Sequence, residues 1–199
     1  MAGKTTDRIT DILIVGVGGQ GILLSADILA RLLVDNGYDV KQAEIHGMSQ
    51  RGGSVHSMVR FGKKIESPLI SRGEADYLLA YEELEALRWA PFVRPRGTVI
   101  VNTQRIAPAP VALGVAAYPD DPVGRLKSTF KKTLVVEANK LGKKAGNVRA
   151  ANMAMLGALA SGLPFDKKQW IETITGRVPQ KTLEINLKAF ELGWEVKNV

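Results

Sequence analysis

Short apolar runs alternate along the chain with longer stretches in which apolar residues recur every three or four positions. The first pattern is typical of strands buried on both faces of a sheet, and the second is typical of the helices that cover such a sheet. Strand-like runs occupy residues 11–15, 38–44, 54–61, 75–81, 97–103, 115–119 and 133–138. Helical patterns occupy residues 20–36, 82–90, 122–130, 147–162, 165–176 and 179–196.

The order of these elements predicts an α/β chain with a Rossmann-like three-layer fold and a mostly parallel sheet. The first strand, the first helix and the second strand should form a βαβ unit with parallel strands and a right-handed crossover. A hairpin-like excursion follows the second strand, because the strand at 54–61 runs through a turn into an extended segment at 65–70. Prolines break residues 107–114 into a loop. Residues 1–199 are expected to form a single domain, with a helical C-terminal extension over about 147–199.

A glycine-rich turn separates the first strand from the first helix. Gly16, Gly18 and Gly21 fit the G-x-G-x-x-G fingerprint, in which glycines permit a tight turn and the helix N-terminus directs free N–H groups at an anion. The same glycines would also suit a packing turn that binds nothing. Glu44 follows Gly21 by about 20 residues, which is where a dinucleotide-binding fold keeps its ribose-binding acid. A stand-alone NAD(P)-binding protein therefore stays open as an alternative function.

A second polar, glycine-rich loop follows the predicted second strand, at residues 46–53. Its Arg51 guanidinium could bind a carboxylate or phosphate through two hydrogen bonds, or form an ion pair across a subunit interface. Gln20, in the first turn, has an amide that both donates and accepts, so it could orient a bound group or cap its own helix. Because both loops follow parallel strands, we expect them to lie together at the edge where open α/β sheets bind ligands.

The composition limits the chemistry that the chain can perform alone. The 199 residues include no cysteine and two histidines, so cysteine-ligated iron–sulfur clusters, thiol catalysis and a self-contained metal site are not expected. No apolar run is long enough to span a membrane, and the cytoplasm is the expected location. The net charge of +7 favours anionic partners, but aromatic residues make up only 6% of the chain, which argues against a base-stacking nucleic-acid surface.

Several motifs stand in one order along the chain. They are GVGGQG at 16–21, HGMSQRGGSV at 46–55, SPLISRGEADYLLAYEELEALR at 67–88, GNVRAANMAMLGALA at 146–160 and NLKAF at 186–190. Together these motifs resemble the gamma domain of the 2-oxoacid:ferredoxin oxidoreductases, over nearly the whole chain after about residue 8. Within that family the likeness is greatest to the small (beta) subunits of the indolepyruvate branch.

The resemblance implies a small subunit that takes part in the oxidative decarboxylation of a 2-oxoacid. The substrate would be an arylpyruvate such as indolepyruvate, and the products would be an aryl-acetyl-coenzyme A, CO2 and reduced ferredoxin. A large subunit would carry thiamine diphosphate, magnesium and the iron–sulfur clusters, in an α2β2 heterotetramer. Coenzyme A would be the co-substrate, and this chain would bind no cofactor alone. Pyruvate or 2-oxoglutarate is the alternative substrate within the family, and no nucleic-acid or membrane partner is implied.

We expect the two glycine-rich loops to form one wall of a site that the large subunit completes, although no catalytic residue can be assigned. The wall comprises Gly18, Gly19, Gln20, Gly21, Ser49, Gln50, Arg51, Gly52 and Gly53. Asn147, Arg149 and Asn152 open a predicted helix and are candidate anion contacts, although helix capping explains Asn147 equally well. The basic residues between positions 125 and 149 could meet coenzyme A, ferredoxin or only solvent.

Arg51→Ala should lower the activity of the assembled enzyme without unfolding the chain, because a loop arginine contributes little to a core. The loss of one charge-assisted contact of about 1.5–3 kcal/mol should weaken binding or rate roughly ten- to a hundredfold. Steady-state kinetics of the complex reconstituted with its large subunit would measure this effect, with subunit association measured separately.

The controls for this variant are Lys63→Ala and Lys64→Ala, in the predicted turn, which should change the kinetics little. If Arg51→Ala weakens association yet leaves the kinetics of the assembled enzyme intact, Arg51 belongs to the subunit interface and its assignment to the site is wrong.

Overall fold

The structure, a computed structural model, describes residues 8–46 and 53–196. The strands are β1 Thr10–Val17, β2 Asp39–His46, β3 Ser54–Gly62, β4 Ala75–Ala80, β5 Val93–Asn102 and β6 Lys132–Val136. The helices are α1 Ile22–Asp35, α2 Glu83–Trp89, α3 Ala109–Ala112, α4 Pro122–Thr129, α5 Ala138–Ala145, α6 Ala151–Ala160, α7 Lys167–Arg177 and α8 Leu183–Trp194. None of these helices is long and apolar enough to cross a membrane.

One sheet runs through the described part of the chain, in the order β2-β3-β1-β4-β5-β6. β1, β4, β5 and β6 are parallel neighbours, whereas β3 is antiparallel to both β1 and β2. The predicted α/β fold with a mostly parallel sheet is therefore confirmed. β1 and β2 point in the same direction, as the βαβ prediction requires, but they are not neighbours because β3 lies between them.

The predicted excursion after the second strand takes the form of β3. This strand pairs along its length with β2 on one side and β1 on the other, whereas residues 65–70 contain no strand. The central position suits β3 because this strand directs apolar side chains to both faces of the sheet. Val55, Val59 and Phe61 join one core cluster, and Met58 joins the other.

Between residues 107 and 147, two local predictions are wrong and one helix was not predicted. Residues 115–119 form no strand, and β5 is instead paired with β4 on one side and β6 on the other. The expected loop at 107–114 contains the short helix α3, in which Pro110 occupies the first turn, where no N–H is needed. The helix α5 was not expected, because its lysines and glycine weaken the apolar periodicity.

The sheet is the middle of three layers. Ile12 and Ile14 of β1 join a core cluster with residues of α1, α6, α7 and α8, while Leu13 and Val15 join a second cluster with residues of α2 and α4. All four side chains are 0% exposed, so the period-two alternation of β1 divides its side chains between two cores. Because β1 is buried on both faces, the glycine turn at its end has a fixed position.

The backbones of α6 and α8 are in direct contact. A β-carbon on Gly157 of α6 would overlap the carbonyl oxygen of Phe190, and a β-carbon on Gly193 of α8 would overlap the carbonyl group of Ala154. α6 is buried along almost its whole length, and it carries Asn152 in its first turn. The two glycines therefore hold the helix that brings Asn152 to the edge of the sheet.

Gly157→Ala should lower the free energy of unfolding by about 1–3 kcal/mol, because the new methyl group meets backbone that cannot rotate away. A matched control is Gly176→Ala in α7, where a β-carbon would meet nothing within 4 Å. That variant should be neutral or more stable by about 0.5–1 kcal/mol, since alanine loses less entropy than glycine in a helix. Urea unfolding of both variants measures the difference, and equal stability of the two would contradict the close helix contact.

Candidate functional site

The ends of β1 and β2 and the start of β3 meet at one edge of the sheet. Val17, at the end of β1, pairs with Ser54, and β2 ends opposite Val55. The Gly18 N–H donates a hydrogen bond to the Gly53 carbonyl oxygen at 2.9 Å, so the described end of the second loop contacts the first glycine turn. The rest of the second-loop wall lies outside the described residues and stays a prediction: Ser49, Gln50, Arg51 and Gly52.

The side-chain amide of Gln20 ties the end of β1 to the end of β4. Its Oε1 accepts a hydrogen bond from the Val17 N–H at 2.7 Å, and its Nε2 donates to the Tyr81 carbonyl oxygen at 2.9 Å. Nε2 also donates to Gln104 Oε1 at 2.9 Å, so both of its hydrogens are used within the chain. Gly16 leaves room for this amide, since a β-carbon there would lie 2.6 Å from Gln20 Oε1. Gln20 therefore positions the turn, and no helix cap is seen for it.

Gly21 ends the turn in the left-handed conformation, with φ of 81°, at the N-cap of α1. Asn152 lies against it, because a β-carbon on Gly21 would come within 2.6 Å of Asn152 Nδ2. The first turn of α1 has no side-chain cap and no acidic residue. The partial positive charge of this helix end is therefore not neutralised by a side chain of α1, which leaves it available to an anion.

A cleft of about 450 Å³, which we call the amide cleft, lies beside the glycine turn. Its lining includes five carboxamides and one cation but no carboxylate, thiol or imidazole among the described residues. The lining residues are Gly19, Gln20, Gly21, Tyr81, Asn102, Gln104, Asn139, Val148, Arg149, Ala151 and Asn152. The volume is in the range of small-molecule sites, and the side chains supply hydrogen bonds rather than reactive groups.

The side-chain amide of Asn102 ties the end of β5 to the end of β4, as that of Gln20 ties the end of β1 to the end of β4. It is 2% exposed, and its Oδ1 accepts a hydrogen bond from the Ala138 N–H at 3.0 Å. Its Nδ2 donates to the Tyr81 carbonyl oxygen at 3.2 Å and to Asn139 Oδ1 at 3.1 Å. The Tyr81 carbonyl, just past the end of β4, thus receives donors from residues that follow β1 and end β5.

The Tyr81 side chain continues this network into the helical layer. Its hydroxyl donates to Ser25 Oγ of α1 at 2.7 Å. Burial raises the pKa of Tyr81 well above its ordinary value, so the phenol stays protonated and acts as a donor throughout the physiological pH range.

Two of the three candidate anion contacts reach the amide cleft. Arg149 and Asn152 line it, whereas Asn147 does not. The Asn147 Oδ1 accepts a hydrogen bond from the Arg149 N–H at 2.9 Å and caps the short 3₁₀ turn Val148–Ala150, which is the capping role considered for it. Asn152 is 6% exposed, and its side-chain amide forms no hydrogen bond with the residues that the structure describes.

Three buried glutamates follow β4 at the same edge, and sequence reasoning did not single them out. Glu82, Glu83 and Glu85 are 1%, 5% and 2% exposed. Glu83 accepts a hydrogen bond from Arg105 Nε at 2.7 Å, and Glu85 accepts one from Arg88 Nη1 at 2.6 Å. Acidic residues at the start of a helix are usually exposed to solvent, where they stabilise the helix dipole. The only sequence signal for the burial of these three is that they come directly after a buried strand.

Glu82 has the largest set of partners among the three. It caps α2 by accepting from the Glu85 N–H at 2.8 Å, and its Oε1 accepts from the Ile106 N–H at 3.0 Å and from the Tyr118 hydroxyl at 2.5 Å. Burial and the hydrogen bond to the Glu82 carboxylate both raise the pKa of Tyr118. The carboxylate therefore anchors both ends of the loop that runs from Ile106 to Tyr118.

Glu44 does not lie where the NAD(P) alternative needs it. It is exposed on β2 and accepts a hydrogen bond from Gln42 Nε2 at 2.7 Å. Because β3 separates β2 from β1, the strand of Glu44 is two strand spacings, about 10 Å, from the strand that leads into the glycine turn. Dinucleotide folds place these two strands side by side, so the topology weakens this alternative.

The basic residues between positions 125 and 149 are exposed. Lys140 forms an ion pair with Glu137, and Arg149 alone of the group lines the amide cleft. The group comprises Arg125, Lys127, Lys131, Lys132, Lys140, Lys143, Lys144 and Arg149. A role for its other members in binding coenzyme A or ferredoxin stays a hypothesis.

The fold is an open α/β domain with a cleft at the carboxyl edge of its parallel strands, the edge at which such sheets commonly bind ligands. The profile of the pyruvate ferredoxin/flavodoxin oxidoreductase family matches residues 11–196. Indolepyruvate oxidoreductase subunit IorB of Thermococcus kodakarensis is 40% identical over 188 residues, which cover 92% of this chain and 93% of that protein. The chain belongs to the pyruvate ferredoxin/flavodoxin oxidoreductase family, which confirms the family resemblance of its motifs.

Solved structures share the fold of this chain. The gamma subunit of a keto/oxoacid ferredoxin oxidoreductase from Geobacter sulfurreducens aligns with a TM-score of 0.69 at 24% identity, over 94% of this chain and 96% of that chain. The 2-oxoglutarate:ferredoxin oxidoreductase of Magnetococcus marinus aligns with a TM-score of 0.73 at 19% identity, over 96% of this chain but 31% of that chain. The fold thus occurs both as a separate chain and as part of a longer one.

Gln20→Met should lower the free energy of unfolding by about 1–3 kcal/mol, because it keeps the side-chain length but leaves the buried Val17 N–H without its acceptor. Gln42→Met is a matched control, since among the described residues the Gln42 amide bonds to the side chains of Glu44 and Ser57 and to no backbone group. The control should change stability by no more than about 0.5 kcal/mol. Denaturant midpoints measure both effects, and similar losses in the two variants would contradict the bracing role of Gln20.

Proposed function

We propose that the chain is the small subunit of an indolepyruvate oxidoreductase. The observation that carries this proposal is the near full-length similarity to the subunit from T. kodakarensis, which spans 93% of that protein. The complete enzyme would oxidatively decarboxylate an arylpyruvate with coenzyme A, release CO2 and an aryl-acetyl-coenzyme A, and pass the electron pair to ferredoxin. Two small and two large subunits would form the assembly.

In this proposal the redox cofactors belong to the large subunit, which carries thiamine diphosphate, magnesium and the iron–sulfur clusters. The present chain has no cysteine with which to ligate a cluster. Among the described residues, the lining of its amide cleft provides hydrogen-bond donors and one cation but no carboxylate, imidazole or thiol. Its contribution is therefore to bind and orient substrate groups and to complete the wall of the site.

The glycine turn and the amide cleft are suited to an anionic substrate group. The uncapped start of α1 supplies partial positive charge, and Arg149 supplies a full charge at the same cleft. Both favour the carboxylate of a 2-oxoacid or the phosphates of coenzyme A. The wall would also include Arg51 and its neighbours in the second loop, whose last residue, Gly53, contacts Gly18.

Expressed alone, the chain should be colourless and inactive, because the cofactors that absorb light and transfer electrons lie on its partner. Mixed with its large subunit, it should restore the coenzyme A-dependent reduction of a dye by arylpyruvates. Visible absorbance and dye reduction by each subunit alone and by the mixture measure this. Turnover by the isolated chain would refute obligate partnership, and preference for pyruvate or 2-oxoglutarate would refute the proposed substrate class.

A further inference from the structure

The net charge of the protein is concentrated in two segments, residues 87–97 and 122–133. They contain seven arginines and lysines and no acidic residue, so together they carry a formal charge equal to the net +7 of the whole chain. The first segment runs from the end of α2 into β5, and the second comprises α4 and the start of β6. The cations are Arg88, Arg94, Arg96, Arg125, Lys127, Lys131 and Lys132.

The fold brings these two segments together at the amino edge of the parallel strands. β5 and β6 are parallel neighbours, and Lys132 at the start of β6 is in register with Thr98 of β5, two residues after Arg96. α2 and α4 contribute to the same core cluster, on one face of the sheet. Asn102, which lines the amide cleft, is at the other end of β5, so the two segments and the amide cleft lie at opposite edges of the sheet.

A largely apolar groove of about 540 Å³ lies between the two segments, and we call it the α2–α4 groove. Every residue that lines it belongs to one segment or the other, and Arg125 and Thr129 are the polar members of the described lining. The apolar lining includes Leu87, Pro91, Val93, Pro95, Leu126 and Phe130. An apolar concavity is thus set within the most basic part of the described chain.

Most cations around the α2–α4 groove have no acidic partner. Arg88 and Arg94 are paired with carboxylates, but the other five form no ion pair with the described residues. Those five are all exposed, and they are Arg96, Arg125, Lys127, Lys131 and Lys132. Arg96 and Lys131 directly follow lining residues of the groove. Because these like charges repel one another, an acidic partner would find complementary charge here without having to displace an internal acid.

We propose that the α2–α4 groove is a docking site for an acidic segment of a partner protein, which inserts one apolar side chain into the groove while its carboxylates pair with the surrounding cations. An apolar centre within a polar rim is the usual arrangement of a protein–protein contact, and complementary rim charges select the partner. A nucleic acid would leave the apolar groove unfilled. Phe130, the only aromatic residue in the described lining, is 6% exposed and offers no open ring for base stacking.

This docking site goes beyond the proposed function, since the wall that the large subunit would complete lies at the opposite edge of the sheet. Its test therefore needs only the isolated full chain. A short peptide of aspartate and glutamate residues with one central leucine, blocked at both ends, is titrated into the chain by calorimetry. Saturable binding of one peptide per chain is expected, and it should weaken as added salt screens the exposed charges. Replacement of the leucine by serine should weaken binding roughly tenfold or more, because no apolar side chain is then buried in the groove.

Charge reversal tests the cations beside the groove. Arg125→Glu/Lys131→Glu should weaken binding of the leucine peptide by at least about tenfold, since two attractive contacts become repulsive. Lys181→Glu/Lys188→Glu is the matched control for the change in net charge. These two lysines are exposed, and they lie just before and within α8, which packs on the opposite face of the sheet. The control should bind the peptide nearly as the parent does.

A pair of tryptophan variants tests the apolar groove itself. Thr129 is exposed and lines the groove, whereas its neighbour Ser128 is exposed and does not line it. Each hydroxyl donates to the Arg125 carbonyl oxygen, so the two variants lose the same local hydrogen bond. Thr129→Trp should fill the groove and remove the advantage of the leucine peptide over the serine peptide, and Ser128→Trp should retain that advantage.

Four results would overturn the proposal. They are no saturable binding of the leucine peptide, equal binding of the leucine and serine peptides, binding that Arg125→Glu/Lys131→Glu leaves unchanged, and an advantage of leucine that persists in Thr129→Trp. A double-stranded DNA oligonucleotide is titrated in parallel. If it binds more tightly than the leucine peptide and Thr129→Trp does not affect it, the basic region is a nucleic-acid site and the assignment to an acidic protein is wrong.

Discussion

The carbonyl group of Tyr81 is the point on which the candidate site depends. It receives hydrogen bonds from Gln20 at 2.9 Å and from Asn102 at 3.2 Å, so one acceptor joins the ends of β1, β4 and β5. Parallel strands leave their last carbonyls without partners, and here side-chain amides provide them. Each amide is itself fixed by a backbone N–H, from Val17 or from Ala138. The edge is therefore rigid because no member of the network can rotate without losing a bond.

The packing of this network requires glycine at two positions of the turn, whether or not a ligand binds there. Gly16 is needed because the Gln20 amide fills the space of a β-carbon, and Gly21 because Asn152 does so and because φ is 81° there. The two explanations that a glycine fingerprint leaves open, packing and ligand binding, are therefore not alternatives here. The close packing of Gln20 and Asn152 against the glycines is what brings donors to the start of α1.

Much of the fold could be predicted from the sequence, because buried strands and amphipathic helices have distinct apolar periods. The boundaries of β1, α1 and β4 fall within two residues of their predicted ends. The position of β3 could not be predicted, since its pairing with β1 depends on which edge is free in three dimensions rather than on its own pattern. The apolar periodicity also did not predict α5, because this helix is largely polar and is stabilised by packing against α6 and α8.

The candidate site was predicted in part for a similar reason. Arg149 and Asn152 could be singled out because they open a helix, but Asn102, Gln104 and Asn139 carry no motif. Their roles come from hydrogen bonds between residues far apart in sequence, such as that from Gln20 to Gln104. Such bonds leave no periodic signal, so only the folded arrangement shows them.

The same edge carries buried negative charge, and its effect on the cleft depends on where that charge is directed. Glu82, Glu83 and Glu85 begin α2, which packs on the opposite face of the sheet from α1 and α6. The segment after β5 divides the two regions: Arg105 donates to Glu83, while its neighbour Gln104 lines the amide cleft. Arginines compensate the charges of Glu83 and Glu85 on that face, and the Glu82 carboxylate accepts hydrogen bonds from two backbone N–H groups and the Tyr118 hydroxyl. These glutamates therefore lie on the other side of the sheet from the amide cleft, and they do not cancel the positive charge that Arg149 and the start of α1 supply there.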